Sequence, residues 1–243
     1  LEHRVGPGQL PPHEGVEPHH QTDPMLQLRF FANSVFSRAV VARVLGFVAT
    51  SAVYILLPIL LVSIQGFSEG RAGVTVFLNS VGLGVAAQVS GRLSDRFGAR
   101  RFMVAGFGAM TLSMVGFAAM SLTTPLWVVA AVALASGLSM GTWNVPNNAT
   151  VLGTVPPTSY GVVGAFTNLA RNVGNVFGQA AVAAIVAGIL VARGLDIPLG
   201  DIGDTPGGDV AFMAGWRAAF LAMAALGLVA TVIAATIRPQ HEG

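Results

Sequence analysis

Lysine and cysteine are both absent from the 243-residue chain, and charge of either sign is scarce. Without cysteine there is no disulfide, no thiolate metal site and no cysteine nucleophile. Charged residues make up 10% of the sequence, where an ordinary soluble domain carries roughly 25%. A surface so poor in charge does not suit a soluble enzyme, a nucleic-acid binder or a disordered chain. All thirteen basic residues are arginine, and the net charge of +2 is too small to attract a polyanion. Hydrophobic residues fill 53% of the sequence instead. The class that follows is an all-α membrane protein.

A bilayer-crossing helix needs about 20 mostly apolar residues, because its backbone groups must be paired internally where there is no water. Residues 44–67 contain no charge, and neither do residues 72–91. From Phe102 to Ala170 a further 69 residues are uncharged, interrupted by Thr123-Thr124-Pro125 and again around Pro146. The expected spans are therefore 44–66, 72–91, 102–122, 126–145, 159–192 and 210–237, a six-transmembrane-helix bundle over 39–238. Residues 1–24 are rich in Pro, Gly and His and read as a polar linker or disordered tail. Residues 25–38, with Phe30, Phe31, Val35 and Phe36 between Arg29 and Arg38, read as an amphipathic segment lying at the interface. Residues 239–243 form a short tail. The chain opens on Leu1 with no signal sequence ahead of the first span, and more chain is expected upstream.

Arginine placement orients the bundle. With the amino end inside, Arg29, Arg38, Arg43, Arg92, Arg96, Arg100, Arg101 and Arg238 fall on the cytoplasmic side, and Arg71, Arg193 and Arg217 outside. Eight against three obeys the positive-inside rule.

Between the second and third spans residues 91–101 read G-R-L-S-D-R-F-G-A-R-R. This loop resembles the G-x-L-a-D-r-x-G-r-r signature of the major facilitator superfamily. Gly91 would let two helices approach, Asp95 could sit at the positive end of the following helix, and Gly98 permits a tight reversal. The resemblance implies that Gly91, Asp95, Arg96, Gly98, Arg100 and Arg101 form a conformation-dependent cytoplasmic latch. The segment from Asp23-Pro24-Met25 to Phe31, the stretch with Asn168, Arg171, Gly174 and Gly178, and Gly215-Trp216-Arg217 with Phe220 are similar to the carboxy-terminal half of fourteen-span drug exporters. That implies one half of a major facilitator fold, itself two inverted three-helix repeats.

On the fifth span Asn168, Asn172, Asn175 and Gln179 fall within about 40° of one direction at 100° per residue. Such a stripe is costly against lipid, so protein or a wet cavity should face it. Arg171 lies beside it, and an arginine near the bilayer centre costs about 2.5–3.5 kcal/mol on the insertion scale. These five residues are candidate substrate-cavity groups. Interhelical hydrogen bonds and a snorkelling arginine are the plainer alternative. Thr50 and Tyr54 share a face of the first span with Arg43, Phe47 and Pro58, and join the candidates. Pro58 should kink that helix. Gly174 with Gly178, and Gly137 with Gly141, have the spacing of close helix contacts. The methionines read as core filling.

His3, His13, His19 and His20 are irregularly spaced, so neither a metal site nor a cofactor is expected. No span contains a histidine or an acidic residue. A proton-coupled exporter needs an embedded group that changes protonation, and that group is then expected in the half absent here. No nucleophile–base pair or phosphate loop at bilayer depth points to an enzyme.

The expected function is part of a secondary exporter of small lipophilic or cationic compounds. Its expected partners are the bilayer, the small-molecule substrate, and the amino-terminal six-helix half or a second copy of this chain. Its expected place is a bacterial plasma membrane with both ends cytoplasmic. A half-transporter that pairs with itself or serves as a membrane scaffold is the alternative.

Overall fold

The computed structural model describes residues 28–195, 198, 202–203 and 205–237. The expected linker, the histidine group, Arg238 and the terminal tail lie outside the described residues. Six helices among those described are long and apolar enough to cross a membrane. They are α1 (Ser34–Pro58), α2 (Glu69–Phe97), α3 (Ala99–Ala118), α4 (Leu126–Leu152), α5 (Tyr160–Ala192) and α6 (Gly208–Thr236).

The first helix begins ten residues before the expected boundary of 44. Asn33 caps it, its Oδ1 accepting from the backbone N–H of Val35 at 2.9 Å and more weakly from that of Phe36 at 3.5 Å. A 3₁₀ turn, Leu28–Ala32, precedes the cap. Residues 34–38 therefore form the first turn of α1 and are not a separate interfacial helix. The reason is packing: Phe36 is 1% exposed, its ring 5.3 Å from Phe31 and 6.5 Å from Phe166.

At Pro58 the missing N–H interrupts the α-helical ladder. The chain continues as a π-helical turn, Ile59–Ile64, closed by Gln65 N–H donating to Leu60 at 2.9 Å. Pro146 has a milder effect than its position suggests. The fourth helix runs through it to Leu152, beyond the expected end at 145. Membrane helices tolerate a proline where neighbours hold the segment, and here Asn147 Nδ2 donates to the Ala39 carbonyl of α1 at 2.9 Å. The reversal between α2 and α3 turns on Gly98 at φ +90°, a region that L side chains rarely adopt.

Helices α1, α4, α3 and α6 form a ring of four, each packed on the next, with α6 closing back onto α1. Outside this ring α2 lies on α4, and α5 lies on α1 with α6 beside it. The outer helices are correspondingly open: 28% of the apolar window of α2 and 22% of that of α5 is buried, against 56% in α1.

Two aromatic groups fill the ring. In one, Trp143 stacks on Phe107 at 4.6 Å and meets Phe47 edge-on at 5.2 Å. In the other, Phe117 stacks on Phe220 at 4.9 Å beneath Trp216, whose Nε1 donates to the Phe117 carbonyl at 2.6 Å. Every described methionine is buried. The outer helices dock through small residues. A Cβ on Gly137 of α4 would collide with the Asn79 carbonyl of α2, and one on Gly141 with that of Leu83. These are the close approaches of α2. At Gly91 an added Cβ would meet only Val145 at 3.4 Å, an ordinary contact, so the approach expected there lies about two to three turns earlier.

Candidate functional site on the fifth helix

The inner face of α5 is set by its small residues. Gly174 lies against α1, where a Cβ would come within 3.1 Å of both Phe47 Cβ and the Val44 carbonyl. Gly178 is tighter, its Cβ position 2.6 Å from the Val48 carbonyl. Val163, Thr167, Ala170 and Val182 complete this buried strip. On the opposite flank Leu169, Val176 and Phe177 are 58–69% exposed, a surface suited to lipid.

Between these two faces runs the polar stripe. Asn168, Arg171 and Asn172 are exposed, and Asn175 and Gln179 are half-buried. None of the five makes a hydrogen bond to a described residue. A hydrophobic helix thus presents a line of unpartnered carboxamides and one guanidinium along its edge. Against lipid each would cost free energy, so this edge suits water or polar protein.

The first-helix candidates behave differently. Thr50 is 2% exposed and its hydroxyl donates back to Gly46 and Phe47 of its own helix, at 3.0 and 3.3 Å. It does not stand with the stripe, because threonine in a helix satisfies its hydroxyl on the preceding turn. Tyr54 is 39% exposed, but its hydroxyl donates to Asn79 Oδ1 at 3.1 Å. Asn79 is buried and passes the chain on, its Nδ2 donating to the Ala133 carbonyl at 3.1 Å. Tyr54 therefore offers a ring edge to the surface while its polar tip joins α1 to α2 and, through Asn79, to α4.

On α1 the structure adds a residue to the candidates. Arg43 is 6% exposed, with its guanidinium carbon 5.3 Å from the Phe47 ring centroid. Its Nε and Nη1 are fully enclosed and make no hydrogen bond. Arg171 lies at the same level on the facing helix, one turn before Gly174, which packs on Phe47, one turn after Arg43. The only sequence signal for this was the one-turn spacing of Arg43 and Phe47, mirrored by that of Arg171 and Gly174.

The loop residues lie elsewhere. Asp95 and Arg96 are exposed on the last turn of α2. Asp95 makes no ion pair among the described residues. Arg100 donates from Nη2 to the Ala235 carbonyl, and Arg38 from Nη1 to that of Thr236 at 3.0 Å. The two guanidinium groups thus occupy the negative end of α6. Gly98, Arg100 and Arg101 line a cavity of about 840 Å³ that also touches Met103 and Thr150. None of the α5 stripe reaches it.

The family model described as Major Facilitator Superfamily matches residues 5–179, well over half of the chain. The chain belongs to the major facilitator superfamily. Its six-helix bundle is consistent with one half of a major facilitator fold. The riboflavin transporter RibZ of Clostridioides difficile is 30% identical over 155 residues, covering 64% of this chain and 34% of that protein. An uncharacterised transporter of the same superfamily, YhcA of Bacillus subtilis, is 32% identical over 84 residues, 35% of this chain and 16% of its own length. The chain spans about a third of RibZ and less of YhcA. Family and relatives together support membrane transport by an integral membrane protein.

Proposed function

We propose that the chain is the carboxy-terminal bundle of a secondary active exporter, moving small lipophilic solutes by alternating access. The reading rests on the unpartnered polar edge of α5, which in a major facilitator is explained by a wet path between two bundles. Helices α2 and α5, the least buried, are then the ones that face an amino-terminal bundle. Substrate sits between the bundles near the midplane, against Asn168, Asn172, Asn175 and Gln179. Of the two substrate chemistries expected from the sequence, lipophilic and cationic, the lipophilic is kept. Arg43 and Arg171 disfavour a cation.

The amino end lies in the cytoplasm of a bacterial plasma membrane, as the arginine distribution suggests. Asp95 and Arg96 act as a latch on that side. Proton coupling, if the exporter is an antiporter, resides in the other bundle, since the described carboxylates here, Glu69, Asp95 and Asp209, stand only in the end turns of their helices.

The test is transport by the full-length protein in proteoliposomes with a panel of riboflavin, a neutral lipophilic dye and the cation ethidium. Gradient-driven movement of riboflavin or the neutral dye, lost in an Asn168→Ala/Asn172→Ala double variant, supports the proposal. Absence of transport for all three overturns it. In that case a dimer of the isolated chain in detergent would point to the self-pairing reading.

A further inference from the structure

Arg43 is the tenth residue of α1 and Arg171 the twelfth of α5. At about 1.5 Å rise per residue both lie roughly 14–17 Å in from the starts of their helices. Those starts share one side of the bundle, because α1 and α5 run in the same direction across a six-span fold. The level is fixed by the docking of the two helices. Gly174, one turn beyond Arg171, sits on Phe47, one turn beyond Arg43.

Two positive charges thus lie at one level of the α1–α5 seam. Arg43 is 6% exposed, and its guanidinium nitrogens Nε and Nη1 are enclosed in protein without a partner. No anion answers the pair among the described residues. The described acidic residues, Glu69, Asp95 and Asp209, stand at the first turn of α2, the last turn of α2 and the first turn of α6. None of them bonds to either arginine. Buried cations are retained when an opposite charge neutralises them, and two guanidinium groups present many N–H donors to an oxyanion.

We infer that Arg43 and Arg171 form the receptor for an anionic group, of the carboxylate or phosphate class, on the transported solute. The exposed Arg171 meets the anion first, and the enclosed Arg43 holds its position from behind, its side chain braced on Phe47. Asn168 and Asn172, one turn or less along α5, supply further donors. The solute class is then an amphipathic anion, with one acidic group at the arginine pair. This inference deepens the proposed function and rests on it for the word solute.

The experiment uses the full-length transporter in a neutral detergent and three fluorescent probes of one shape. These are 9-anthracenecarboxylate, its methyl ester and 9-(aminomethyl)anthracene. Charge-assisted hydrogen bonds should make the carboxylate bind about tenfold or more tighter than the ester, with the amine weakest. Arg171→Gln and Arg43→Gln should each erase most of that preference, weakening the carboxylate far more than the ester, and Arg171→Lys should keep much of it. Because Arg171 is exposed, its variants keep the test open if Arg43→Gln does not fold. Equal affinity for carboxylate and ester in the wild type overturns the inference. So does displacement of the carboxylate by equimolar phosphatidylglycerol, which would make the pair a lipid headgroup site. A lowered melting temperature in Arg171→Gln with no anion preference would assign the pair to a carboxylate of the other bundle, and also overturns it. Proteoliposome transport separates the two claims. Arginine-dependent anion binding without any transport keeps this inference and removes the exporter. Equal transport of ester and carboxylate does the reverse.

Discussion

The hydroxyl of Tyr54 donates to the carboxamide oxygen of Asn79 at 3.1 Å, across the gap between α1 and α2. The same asparagine gives its N–H to the Ala133 carbonyl of α4. One buried side chain therefore joins three helices, next to the glycine contact where α4 touches the backbone of α2. The asymmetry of the two ends sets a prediction. Tyr54→Phe removes one half-exposed donor and should cost about 0.5–1 kcal/mol. Asn79→Leu leaves the Tyr54 hydroxyl without its acceptor, removes the added donor to the Ala133 carbonyl and crowds the interface, so about 1–3 kcal/mol is expected. Thermal unfolding in detergent, read by loss of the monodisperse peak, checks the order. Equal melting temperatures would contradict it.

The glycines divide into two sets with opposite expected behaviour. Gly137→Ala drives a methyl into the Asn79 carbonyl, and overpacking of this kind costs about 1–3 kcal/mol. Gly84, on the same helix pair, has open space where its Cβ would be. Gly84→Ala should stabilise by up to about 1 kcal/mol through helix propensity alone. Melting temperatures of the two variants should move in opposite directions.

Trp216, in the third turn of α6, places its indole N–H on the last turn of α3. Trp216→Phe keeps most of the ring contact with Phe117 and Phe220 but leaves the Phe117 carbonyl without that donor. A loss of about 1–2 kcal/mol is expected, and Trp216→Ala should lose about 3–5 kcal/mol. A Phe variant as damaging as the Ala variant would show that the hydrogen bond, and not the ring, holds the two helices.

At the far end of the same helix, Arg38 and Arg100 donate to the carbonyls of Thr236 and Ala235. Replacing both by Gln should release the last turn of α6 at a cost of about 0.3–1 kcal/mol each. Hydrogen exchange in residues 231–237 should accelerate while the centre of α6 is unchanged. Uniform acceleration along the helix would mean that the arginines support the whole bundle.

The span count was legible because a charge-free run of about 20 residues, recurring along a chain this poor in charge, suits a bilayer crossing and little else. Boundaries were less legible. Charge counting placed the start of the first span after Arg38 and Arg43, yet α1 begins at Ser34 because Arg38 reaches the end of α6 and Arg43 is enclosed by protein. Proline suggested a stop at 146, but Asn147 anchors that segment to α1. At the candidate site, helical spacing was enough to align Asn168, Asn172, Asn175 and Gln179, since one helix carries them all. It could not pair Arg43 with Arg171, which lie 128 positions apart in the chain. Nor could it tell that Thr50 satisfies itself, since that depends on a hydroxyl finding the preceding turn.

The absence of cysteine makes the central claim directly measurable, because any thiol placed in this chain is the only one there. Single cysteines at Asn168, Asn172, Asn175 and Gln179, and at Leu169, Val173 and Val176 as controls, are introduced into the full-length transporter with any other cysteines removed. Membrane vesicles are then treated with a charged, membrane-impermeant methanethiosulfonate. If the polar edge of α5 lines a wet path between two bundles, the first four positions react and the three apolar ones do not. A transported solute should slow the reaction at the first four. Equal labelling of both sets, or none in either, would contradict the account.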